Sequence, residues 1–137
     1  MPKRFRFALQ AVLEHRKLLE EGKRGLVGRR RADRDGALAA AELVTSALAR
    51  GSRVLRESAG STVTSDPRVF DWHLRLLGRA LVERQRASQD CETLLAAARA
   101  ELVAAATARR VLEKLEERQR RRFDAEAARD AEREAAS

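Results

Sequence analysis

Apolar and small side chains recur at alternating steps of four and three through the second half of the chain: Phe70, Leu74, Leu77, Leu81, Ser88, Cys91, Leu95, Ala98, Leu102, Ala105 and Leu112. Arg84 and Arg109 fill the two missing positions. Such spacing is the seam of a left-handed coiled coil, in which an apolar stripe faces a partner about every 3.5 residues. The pattern runs on through Leu115 into a charged stretch with no helix breaker, so a helix is expected over about 67–133. Asp66 is suited to cap its first turn, and Pro67 to the first helical position, where its missing N–H costs nothing.

The first half shows the same pattern less cleanly. Leu9, Val12, Leu19 and Leu26 form one stretch of seam, and Ala37, Ala41, Val44, Leu48 and Leu55 another. Between them lie Gly22, Gly25, Gly28 and Gly36, each costing roughly 1 kcal/mol relative to Ala in a helix, together with the run Arg29, Arg30, Arg31. A first helix over about 7–57 is expected, with this interval its weakest part. The one cluster of turn-forming residues lies at 58–66, which makes a single reversal there. The chain 1–137 therefore reads as one all-α domain, a long antiparallel two-helix coiled-coil hairpin that pairs residue i with about residue 124 − i. At 1.5 Å per residue the helices measure about 75 Å and about 100 Å, so the second overhangs the first beyond about residue 118.

Composition agrees: of 137 residues, 87 are Ala, Glu, Lys, Leu or Arg, as in long helices. No window alternates with period two, which excludes sheet folds. The 29 basic residues outnumber the 21 acidic ones, and 25 of the bases are Arg, whose planar fork suits carboxylates and phosphates. The single Cys91 rules out a disulfide framework and sits on the seam as a small core residue. No stretch approaches the roughly 20 apolar residues of a membrane span, so the expected location is cytoplasmic.

Little in the chain can do chemistry. His15 and His73 lie far apart in the hairpin, and a two-helix rod has no cavity in which to assemble a triad, a sequestered carboxylate pair or a phosphate loop. No enzymatic activity, cofactor or metal is expected.

At its start, Phe5-x-Phe7-x-Leu9-x-x-Val12-Leu13-x-x-Arg16-x-x-x-Glu20, and near its end, Leu112-Glu113-Lys114-Leu115-x-Glu117-Arg118 followed by Phe123-x-x-Glu126, the chain resembles the FliJ family of flagellar type III export proteins. The resemblance extends over essentially the whole length. It departs from the family pattern in the Gly-rich interval and in the Ala-rich end at 131–137. What it implies is a non-enzymatic central stalk, monomeric alone, that enters the ring of the export ATPase FliI, links it to the membrane export gate FlhA, and in some members handles substrate chaperones. The location it implies is cytoplasmic and peripheral at the inner face of the membrane. On this reading Phe5, Arg6, Phe7, Arg118, Arg120, Arg121 and Arg122 face the ATPase ring, and Phe70, Trp72, Leu74 and Leu77, just after the turn, meet the gate.

Three rivals remain. The stalk of a virulence type III secretion system has the same hairpin. A basic coiled coil that binds nucleic acid is suggested by the Arg run, but nine basic residues are mixed with eight acidic ones over 109–134 and no aromatic residues interleave them as stacking platforms. No nucleic-acid partner is therefore expected. A plain dimeric scaffold would differ from the intramolecular hairpin in mass.

Overall fold

The computed structural model describes residues 3–58 and 66–137. The reversal expected at 58–66 falls mostly outside them. The chain is all-α: helix α1 spans Gln10–Ser58 and helix α2 spans Pro67–Ala136, packed against each other as an antiparallel hairpin. Two compact units can be distinguished. Unit 1 comprises Met1–Leu26 with Arg99–Ser137, and unit 2 comprises Val27–Ala98.

Helix α2 starts where capping chemistry places it. The Asp66 carboxylate accepts a hydrogen bond from the Arg68 amide at 3.0 Å, and the Asp66 carbonyl accepts from the Val69 and Phe70 amides. Helix α1 begins at Gln10 rather than residue 7: the Gln10 amide donates to the Phe7 carbonyl at 3.1 Å, closing a turn through Ala8 and Leu9. Despite its glycines and arginines, α1 continues without interruption through Gly22, Gly28 and Gly36.

In unit 1 the core is a single row of side chains along each helix. Leu13 is 1% exposed, with Phe7 buried nearby in sequence, and Leu102, Ala105, Leu112 and Leu115 are half-buried on α2. This corrects the frame expected for the first stretch of α1. Leu9, Val12 and Leu19 are exposed, whereas Leu13 and Glu20, one residue further on, take the interior positions. The apolar stripe pointed to the wrong frame because the true seam carries charge at Glu20 and Lys23 and so is not continuous in hydrophobicity. Glu20 is only 6% exposed and accepts hydrogen bonds from Arg109, which occupies the seam position on α2 that lacked an apolar residue. Lys23 pairs with Glu101 at 3.0 Å, in the expected register.

In unit 2 the interior row of α1 runs Val27, Arg30, Arg34, Ala37, Ala41, Val44, Leu48 and Gly51, all buried or half-buried at steps of three and four. Val27 rather than Leu26 is buried, again one residue beyond the expected frame. From Ala37 to Leu48 the expected seam holds, and Leu55 beyond it is exposed. On α2 the row is Phe70, Leu74, Leu77, Leu81, Ser88, Cys91, Leu95 and Ala98, with Leu95 completely buried. Arg34 reaches across to Glu92 at 3.5 Å, so its long side chain bridges the helices where a shorter apolar one would leave a gap. Among the described residues no helix is long and apolar enough to cross a membrane.

Candidate interaction surfaces

Two surfaces carry the residues singled out from the sequence, one in each unit. In unit 1 the segment before α1 has no regular secondary structure, and neither of its aromatic residues is exposed. Phe7 is buried, and Phe5 lies against Phe123 of α2 with ring centroids 5.7 Å apart in a tilted arrangement. The Arg120 guanidinium covers the other part of the Phe5 ring, 5.2 Å from its centroid. Edge-to-face aromatic packing and a cation over a ring each contribute roughly 0.5–1 kcal/mol. Phe5, Phe7 and Arg120 thus close the end of the seam, where α1 has not yet begun. Arg6, Arg118, Arg121 and Arg122 are exposed.

The exposed arginines belong to a longer feature. Arg110, Lys114, Arg118 and Arg121 follow at steps of four, four and three, and Arg122 and Arg129 flank that line; all six are exposed. At 3.6 residues per turn this line lies on the side of α2 opposite its half-buried row of Leu102, Ala105, Arg109, Leu112, Glu116, Gln119 and Phe123. The acids Glu113, Glu116, Glu126, Asp130 and Glu134 fall on the seam side. Glu132 lies on the basic line, and Glu117 and Asp124 lie beside it, so basic and acidic residues that alternate along the sequence are partly separated around the helix. Among the described residues none of the six cations is in an ion pair. A row of Arg and Lys without internal partners presents its donors to an anionic surface.

Arg109 is different in kind. Its guanidinium donates to Glu20 from Nε and, at 3.4 Å, from Nη2, and to Glu113 from Nη1 at 2.8 Å. Hydrogen bonds to Glu20 first and Glu113 second raise its pKa further above the ordinary arginine value. Arg24 adds a second cation to Glu20 at 3.3 Å.

In unit 2 the four residues expected at a gate divide into two sets. Phe70, Leu74 and Leu77 are half-buried on the seam, while Trp72 is 62% exposed. Trp72 is accompanied by Val69 and Leu76, also exposed, at steps of three and four, so a second apolar line runs along the start of α2 beside the seam. On α1 in the same unit, Leu43 and Val54 are exposed as well. Val69 and Leu76 lie off the seam periodicity and are not marked by it. A second set of apolar residues at the same period, offset by one position, was the signal. His15 and His73 have no metal-binding company: among the described residues no group of three His, Cys, Asp or Glu side chains is placed to hold a metal ion. No family of known proteins, no curated protein and no solved structure matches this chain.

Proposed function

We propose that the protein is a non-enzymatic coiled-coil stalk of a flagellar type III export apparatus, acting through two binding surfaces. The basic line of α2, Arg110, Lys114, Arg118, Arg121, Arg122 and Arg129, contacts acidic surface within the ring of the export ATPase. The apolar line Val69, Trp72 and Leu76 contacts the membrane export gate. The resemblance of the chain's two ends to FliJ proteins names the machine, and the outward basic line is the observation that carries the reading. Cations that are exposed and without an ion pair leave charge to be neutralised by a partner. Trp is enriched among residues that anchor interfaces, and one exposed between two aliphatic neighbours supports the second contact.

Peripheral membrane association follows in this proposal from the gate and needs no lipid anchor. The test is co-purification of the full chain with the cognate export ATPase and with the cytoplasmic part of the gate, alongside ATPase stimulation. Binding to both, with stimulation that falls as salt rises, is the expected result. Capture by the ATPase and gate of a virulence secretion system instead would move the assignment to that machine. Steep salt-dependent binding to arbitrary DNA with no capture by either ATPase would replace it with the nucleic-acid reading.

A further inference from the structure

The apolar seam of unit 1 does not by itself select one alignment of its two helices. Between Gln10 and Leu26, Leu13 is the one fully buried apolar side chain of α1, so apolar packing there discriminates little between alignments a heptad apart. What distinguishes one alignment from the next is Glu20. It is buried, and its carboxylate accepts from two nitrogens of Arg109, while Arg109 is held in turn by Glu113. A slide of one heptad would set Glu20 against Leu102 in one direction and Glu116 in the other, both half-buried seam residues. Either move takes the buried carboxylate away from Arg109 and leaves it only the exposed Arg24 of its own helix, and the second also brings two acids together.

We propose that Glu20 and Arg109 are a register lock, a conformational device that holds one axial alignment of the helix pair against heptad-slipped alternatives. A polar seam residue that fixes register while lowering stability is a known use of buried polarity in coiled coils. Arg24 and Glu113 belong to the lock as positioning residues, since each touches one member of the pair from its own helix. The more exposed pair Lys23–Glu101, whose side chains are 39% and 52% exposed, does not.

The test uses the full chain with Cys91→Ser and spin labels at two exposed positions of unit 1 set well apart along the axis, Leu18→Cys and Ala128→Cys, read by pulsed dipolar distance measurement. The parent protein should give one narrow distance distribution. The double variant Glu20→Leu/Arg109→Leu should gain a resolved second population, displaced by about 10 Å along the axis, the rise of seven helical residues. Its thermal midpoint should be equal to or higher than the parent's. The control Lys23→Leu/Glu101→Leu should keep the single distribution. A single narrow distribution in the Glu20/Arg109 double variant overturns the proposal, as does equal slippage in the control. Glu20→Gln retains the shape of the site without its charge and should show the second population as well; a single distribution in that folded variant also counts against the lock.

Discussion

The Leu74 side chain occupies the space in which residue 51 would carry a Cβ: an atom built there would lie 2.7 Å from Leu74 Cδ2. Gly51 is at an interior position of α1, and its lack of a side chain lets a large residue of α2 approach the backbone. Gly22, Gly28 and Gly36 have open space where a Cβ would go. Replacing each of these three with Ala should therefore raise stability by about 0.5–1 kcal/mol, the cost of an interior helical Gly. Gly51→Val should lower it by about 1–3 kcal/mol through overpacking. Denaturant unfolding of the four single variants checks the contrast, and a stabilising Gly51→Val would show that Leu74 moves aside freely.

The frame of α1 in unit 1 is open to a direct comparison. Leu13→Ala removes a side chain that is 1% exposed and should cost near the lower end of the roughly 2–5 kcal/mol typical of such truncations. Val12→Ala and Leu19→Ala remove exposed side chains and should fall within about 0.5 kcal/mol of the parent. Urea midpoints of the three variants decide it. Equal losses at Leu19 and Leu13 would restore the frame that the apolar pattern suggests.

Helix α2 was legible in the sequence because its seam is written in apolar and small residues from Phe70 to Leu112, with the Asp66–Pro67 cap marking its start. Helix α1 was legible as a helix, and in its facing from Ala37 to Leu48, but not in its facing before that. Glu20, Lys23, Arg30 and Arg34 occupy interior positions, and hydropathy cannot distinguish a charged residue that spans a helix pair from one turned to solvent. The clue lay across the hairpin, in Arg109 standing where an apolar residue was due. The surfaces were less legible still. Counting nine basic and eight acidic residues over 109–134 conceals the separation of six of the bases from five of the acids around the helix, which appears only when angular position is considered. Phe5 and Phe7 look like exposed anchors in the sequence, yet Phe5 packs on Phe123, beyond the start of α1, and Phe7 is buried.

That difference between Arg120 and its neighbours predicts two phenotypes. Charge reversal at Arg118, Arg121 and Arg122 together should weaken ATPase binding and stimulation and flatten their salt dependence, with helicity and thermal midpoint little changed, because none of the three packs against the chain. Arg120→Ala should instead lower the midpoint slightly by uncovering Phe5, by about 0.5–1 kcal/mol, while stimulation persists. Circular dichroism melts run beside ATPase assays separate the two. Stimulation that survives the triple reversal would reduce the basic line to a solubilising face.

Trp72 and Phe70 make the opposite pair at the start of α2. They are two residues apart, yet Trp72 is mostly exposed while Phe70 is half-buried on the seam with Leu74. Burying a large apolar side chain in a partner contributes roughly 1.5–3 kcal/mol, so losing Trp72 should weaken gate binding by about one to two orders of magnitude. The same change removes little from the hairpin itself, and the midpoint of Trp72→Ala should stay within a few degrees of the parent's. Phe70→Ala and Leu74→Ala remove seam packing and should lower the midpoint, with any loss of gate binding following the loss of structure and recovered at lower temperature. Val69 and Leu76, exposed on the line of Trp72, should behave as Trp72 does, with smaller effects. Gate affinity by titration calorimetry, measured at a temperature where every variant is folded, separates the roles: a Trp72→Ala protein that binds the gate as tightly as the parent excludes this line as the docking face.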